Sequence, residues 1–107
     1  MFALHIMKLV EDFPNTFSGR SIGIQLVRSG TSIGANYRSS CRARSKAEFI
    51  AKLGIVVEEA DECCYWLELV IEGGILSADR VSSLYSEALE LTAIFVTSIK
   101  TARANKR

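Results

Sequence analysis

Proline is nearly missing from this chain, with Pro14 alone in 107 residues. That disfavours the proline- and turn-rich texture of a β-sandwich, and a hydrophobic content of 49% excludes disorder. Histidine is reduced to His5. It sits in an apolar first helix, so no Ser or Cys nucleophile has a visible base, and the Glu-x-x-His repeats that hold two metal ions in helical bundles cannot be assembled. The carboxylates Glu58, Glu59, Asp61 and Glu62 therefore read as something other than a metal site, and no cofactor is expected. Three cysteines, Cys41, Cys63 and Cys64, make neither an even disulfide framework nor a spaced metal motif. They fit small helix-packing residues in a reducing compartment. Long hydrophobic runs are lacking too, because charges interrupt every stretch before the ~20 residues a bilayer crossing needs. Residues 1–10 have no basic leader, and Glu11-Asp12 stands where a signal peptide has small residues. The expected setting is cytoplasmic, with no membrane contact and no evident small-molecule substrate.

What is present is helical periodicity in a single domain spanning residues 1–107, too short for a separate cofactor-binding unit. The expected fold is all-α, an antiparallel up-and-down four-helix bundle with helices near 2–12, 18–44, 46–72 and 78–104. Phe49, Leu53, Val56, Ala60, Cys63, Leu67 and Val70 recur at gaps of four and three, as in a coiled-coil stripe. Ser45 with Glu48 predicts a capping box at the start of that helix, and Gly73-Gly74 its end. Val81, Leu84, Ala88, Leu91, Phe95, Ser98 and Ala102 repeat the spacing from a start near Ser77, with fraying at Asn105. Ile22, Leu26, Ile33 and Tyr37 mark one face of the second helix. Gly30 and Gly34, four apart, are expected to let another helix approach, which must offset roughly 1 kcal/mol per interior glycine. Phe2, Ile6, Leu9 and Phe13 make a short first helix ended by Pro14.

A net charge of +1 conceals a strong segregation. Residues 20–52 carry +6, residues 53–90 carry −8 and residues 91–107 carry +4. Antiparallel packing would bring the ends of helices two and four to one pole with the starts of one and three. Arg38, Arg42, Arg44, Lys46, Lys52, Lys100 and Arg103, with Lys106 and Arg107, are then candidates for contact with RNA or DNA phosphates. The competing reading is that these cations only solvate helix ends and complement their dipoles. No aromatic stacking platform is evident at that pole. With the second hairpin turning near Arg44-Ser45, facing residues sum to about 90. Arg28 is thereby set opposite Glu62 as a partly buried salt bridge fixing register, and Asn36 near Leu53 as an interhelical polar contact.

The third helix also carries a second apolar row, Ile50, Val57, Cys64 and Ile71, together with Tyr65 and Trp66. More apolar surface than one small core requires points to self-association, with Tyr65, Trp66, Ile50, Val57 and Ile71 as the candidate oligomer interface. The alternative is a wide core that uses both rows.

One stretch is more specific than any of these patterns. The run Gln25-Leu26-Val27-Arg28-Ser29-Gly30-Thr31-Ser32-Ile33-Gly34-Ala35-Asn36-Tyr37 is followed by Ser45-Lys46-Ala47-Glu48-Phe49, Glu59-Ala60-Asp61-Glu62 and Tyr65-Trp66-Leu67. With Phe2-Ala3-Leu4 and Phe13-Pro14, it resembles the four-helix-bundle proteins named after 23S ribosomal-RNA intervening sequences. The resemblance implies a ring-shaped homopentamer without defined catalytic residues. It is similar in turn to accessory proteins of diversity-generating retroelements, pentamers that bind nucleic acid and a reverse transcriptase. Two departures stand out: the first helix here begins almost at Met1, and the surface is nearly neutral where those relatives are basic. The expected function is thus a non-enzymatic homo-oligomeric scaffold with a nucleic-acid-binding pole. The alternative is a protein-interaction adaptor that uses the acidic and aromatic third-helix surface and has no nucleic-acid role.

Overall fold

In a computed structural model, which describes residues 1–105, the chain forms four helices: α1 (Phe2–Glu11), α2 (Phe17–Cys41), α3 (Lys46–Glu72) and α4 (Ala78–Ala104). No strand occurs among the described residues. Two of the helix starts have a clear local cause. The Thr16 hydroxyl accepts from the Gly19 N–H at 3.0 Å, which starts α2 at Phe17. Ser45 caps α3 in the same way, accepting from the Glu48 N–H at 3.0 Å. Only this arm of the capping box forms; the Glu48 carboxylate lies instead in a cleft beside three arginines. Because Ser45 must be extended (φ −150°, ψ 162°), α2 ends at Cys41 rather than at residue 44. Of the glycine pair after α3, Gly74 alone takes a positive φ, +69°. Ser77 precedes α4 without a side-chain capping bond.

The helices alternate in direction. Ile6 lies on Gly30 and Val10 on Gly23, Cys63 meets Ser29, Cys64 meets Thr92, and Asp12 meets Arg80. Each helix packs on two neighbours, α1 and α3 both lying against α2 and α4. Six of the seven α3 stripe residues are buried, Phe49 being the exception, and five of them, Val56 to Val70, share one core with Ile6, Leu26, Val81 and Ala88, none of which is solvent-accessible. Burying a Leu or Ile of this kind contributes roughly 1.5–3 kcal/mol, so this column dominates the stability.

The short first helix changes the architecture expected from the sequence. Ten residues rise about 15 Å, against nearly 40 Å for each of the other helices. With Ile6 seated on Gly30, α1 starts beside the middle of α2, not at the basic pole. Only half of the bundle therefore has four helices. In the other half Leu91, Phe95 and Ala102 of α4 are only part-buried. Tyr37, expected in the α2 core face, is 46% exposed and leans on Phe95 with ring centroids 5.5 Å apart. The glycine expectation also splits. A methyl group at Gly30 would meet Ile6 at 3.2 Å, whereas at Gly34 nothing lies within 4 Å.

Candidate nucleic-acid interface

At the end that α1 does not reach, the last turns of α2 and the first turns of α3 enclose a surface cleft of about 480 Å³. Arg38 and Arg42 approach from α2 and its cap, Arg44 from the turn and Lys52 from α3, with Glu48 the one carboxylate in the lining. The three arginines are exposed and Lys52 is half-buried. Among the described residues the ion pairs involve His5, Arg28 and Arg80, and none of the cleft cations takes part. Four positive side chains thus converge with a single negative group near them.

Helix dipoles account for only part of this cluster. Arg38 in the last turn of α2 is favourably placed, and so is Arg103 in the last turn of α4. Arg44 and Lys46 lie at the start of α3, where positive charge is disfavoured by a few tenths of a kcal/mol up to about 1 kcal/mol each, whereas Lys52 stands in the second turn, beyond that effect.

The remaining candidates scatter. Lys46 lines a second cleft of about 660 Å³ between the α2–α3 turn and the end of α4, among Ser45, Thr97, Ser98, Thr101 and Phe49. Phe49 is half-buried, an aromatic at this pole that the charge pattern did not disclose. Lys100 and Arg103 are exposed on α4 and line neither cleft. Lys106 and Arg107 lie outside the described residues.

Farther along α2 and α3, the Arg28 guanidinium donates to Glu62 and, at 3.3 Å, to Glu59. Glu62 also accepts from the Trp66 indole N–H at 3.0 Å. The Arg28 side chain is 48% exposed and those of Glu59 and Glu62 are 16% and 32% exposed, so the contact across the register is a partly buried network with two carboxylates rather than one pair. Asn36 does not cross to α3; its amide donates to the Ser32 carbonyl one turn back, at 2.9 Å. The buried polar contact between these helices is Cys63 to Ser29, at 3.3 Å, while the Ser29 hydroxyl donates to the Gln25 carbonyl. Nothing in the spacing of a lone serine and cysteine signalled it. Burial pushes the Cys63 thiol up to about 11, against the Ser29 hydroxyl bond, which draws it down. Burial raises Cys64 as well. Neither is a poised nucleophile.

Of the proposed interface residues, Ile71 and Trp66 pack on the core. Ile50 and Val57 are half-buried in the row of Cys64, which faces Thr92 of α4. Tyr65 stands out, 53% exposed, with its ring edge-on to Trp66. Among the described residues no group of three or more His, Cys, Asp or Glu side chains is arranged to hold a metal ion. No helix is long and apolar enough to cross a membrane.

These features define a small all-helical bundle with a cationic cleft at one end. The chain belongs to the 23S rRNA-intervening sequence protein family, whose model matches residues 1–97. It is also similar to a crystallised protein of unknown function from the S23 ribosomal protein family of Bacteroides thetaiotaomicron. The two share 37% identity over 92% of each chain, with a TM-score of 0.86. No curated protein gives a significant match.

Proposed function

We propose that this protein is a non-enzymatic, self-associating helical scaffold that holds nucleic acid, RNA first of all, at the basic end of its bundle. The observation that carries the reading is the cleft shared by Arg38, Arg42, Arg44 and Lys52, whose cations have no ion-pair partner among the described residues. Charge placed against a helix dipole costs stability and has a use when a phosphate occupies the cleft. Family membership is consistent with the ring-shaped homopentamer, and several copies would multiply a modest single-site affinity.

Binding of the mass-calibrated protein to a structured ribosomal-RNA fragment across a salt series tests this. Four phosphate contacts predict a log–log salt slope of roughly −3 to −4, and Arg42→Gln with Arg44→Gln should halve it. Absence of binding at low salt would return the cations to the role of solvated helix ends. The function would then rest on the acidic and aromatic face of α3 as a protein-recruiting surface.

A further inference from the structure

At the opposite end from the cationic cleft, α2 carries exposed apolar side chains that its own fold does not cover. Phe17 is 78% exposed and Ile24 67%. Ile24 and Val27 join Val10, Phe13 and Pro14 in a largely apolar groove of about 670 Å³, with Arg20 and Arg28 on its rim. Arg28 is engaged by Glu59 and Glu62, but the Arg20 guanidinium donates only to the Asn15 carboxamide oxygen, at 2.8 Å. Among the described residues no carboxylate pairs with its charge.

The same chain carries the complementary surface. The outward face of α3 presents Tyr65, 53% exposed, and Ile55, 43% exposed, among the exposed carboxylates Glu58, Asp61, Glu68 and Glu72. Glu68 accepts from the Tyr85 hydroxyl; Glu58, Asp61 and Glu72 form no ion pair among the described residues. One surface is apolar with a basic rim, the other apolar with an acidic rim. An aromatic with a polar tip is the residue type most enriched at the centre of such contacts.

We infer that the α1–α2 groove receives the Tyr65 face of α3 from a second copy of this chain. The inference rests on the self-association proposed above and names the surfaces that make it. The contact is heterologous, so each copy keeps a free groove on one side and a free α3 face on the other for further copies. Register adds a geometric consequence. Arg28 meets Glu62 and Ser29 meets Cys63 across the α2–α3 seam, so Ile24 stands level with the Tyr65–Trp66 pair along the bundle axis. Two copies joined this way with their bundle axes parallel lie side by side without a rise along that axis. In that arrangement their cationic clefts face the same side of the assembly, where a nucleic-acid chain can touch several at once.

Size-exclusion chromatography with light scattering, run on the full chain over a concentration series, tests the assignment. Ile24 and Arg20 are exposed, so Ile24→Asp and Arg20→Glu should keep wild-type helicity by circular dichroism. Ile24→Asp is expected to weaken self-association at least about tenfold. Arg20→Glu and Glu72→Arg should each weaken it by about fivefold, and the double variant Arg20→Glu/Glu72→Arg should recover most of that loss. A folded Ile24→Asp protein that assembles as tightly as wild type would overturn the groove assignment while leaving self-association standing. A wild-type chain that stays monomeric at every concentration would overturn both.

Discussion

Two glycines four residues apart in α2 offer a controlled comparison of what packing and propensity contribute. Gly34→Ala adds a methyl group where nothing lies within 4 Å, so it keeps the full propensity gain of an exposed helix interior, roughly 1 kcal/mol. For a domain of this size that raises the melting temperature by roughly 4–8 °C. Gly30→Ala has the same propensity gain, but its methyl group meets Ile6 Cγ2, Cγ1 and Cβ at 3.2, 3.3 and 3.4 Å. Ile6 is β-branched and fully buried, so relief requires α1 itself to shift. Overpacking of this kind costs about 1–3 kcal/mol, which leaves Gly30→Ala destabilised by about 1 kcal/mol and separates the two variants by about 2 kcal/mol. Urea unfolding followed by circular dichroism, at one fixed protein concentration, measures both. Equal stabilisation by the two alanines would refute the seating of α1 on Gly30, and with it the half-covered bundle.

The register network and the buried thiol give two further tests. Arg28→Met removes the cation that Glu59 and Glu62 share, and should lower stability by about 1 kcal/mol, the upper range for exposed pairs because Glu59 is only 16% exposed. An unchanged melting temperature would sink the idea that this network fixes the α2–α3 register. Cys63 is held neutral in the folded state with its pKa raised to about 11, above the unfolded value of about 8.5. Its contribution is thus complete below about pH 8.5 and is lost as pH rises toward about 11. Wild type should lose stability relative to Cys63→Ala over that window, and parallel pH profiles would contradict it.

How much of this was legible in the sequence depends on the length scale of each signal. The α3 stripe repeats through seven positions, and a pattern that long leaves one fold class open, which is why six of the seven are buried. The pairing of Arg28 with Glu62 could be read because antiparallel hairpins obey a constant sum once the turn is placed. Single side chains with more than one partner in reach were less legible. Asn36 found the Ser32 carbonyl within its own helix, and Glu62 was shared by Arg28 and Trp66. The basic pole was legible as a net excess. Its division into one converging cleft, a second cleft with Lys46, and outlying Lys100 and Arg103 depends on helix azimuth, which summed charge does not contain. The second apolar row of α3 depends on azimuth in the same way: Cys64 lies against Thr92 of α4, while Ile50, Val57 and Ile71 stay half-buried.

The reach of α1 ties the fold to the proposed function. Where α1 covers the bundle, Ile6, Leu26, Leu67, Val70 and Val81 are inaccessible to solvent, and the stability concentrates there. Beyond its start, α2, α3 and α4 run on without it, and the two polar clefts lie at that end. The arginines around the first cleft are exposed and outside the apolar core, so folding does not depend on them. Substituting them one at a time should change unfolding by no more than about 1 kcal/mol, the scale of a charge at a helix end. Two of the basic residues at this end, Arg44 and Lys46, sit against the α3 dipole, so the stability of the isolated chain gives them no reason to be cationic. In the proposed function that charge is used by a phosphate backbone, which asks only for cations on an exposed, concave surface.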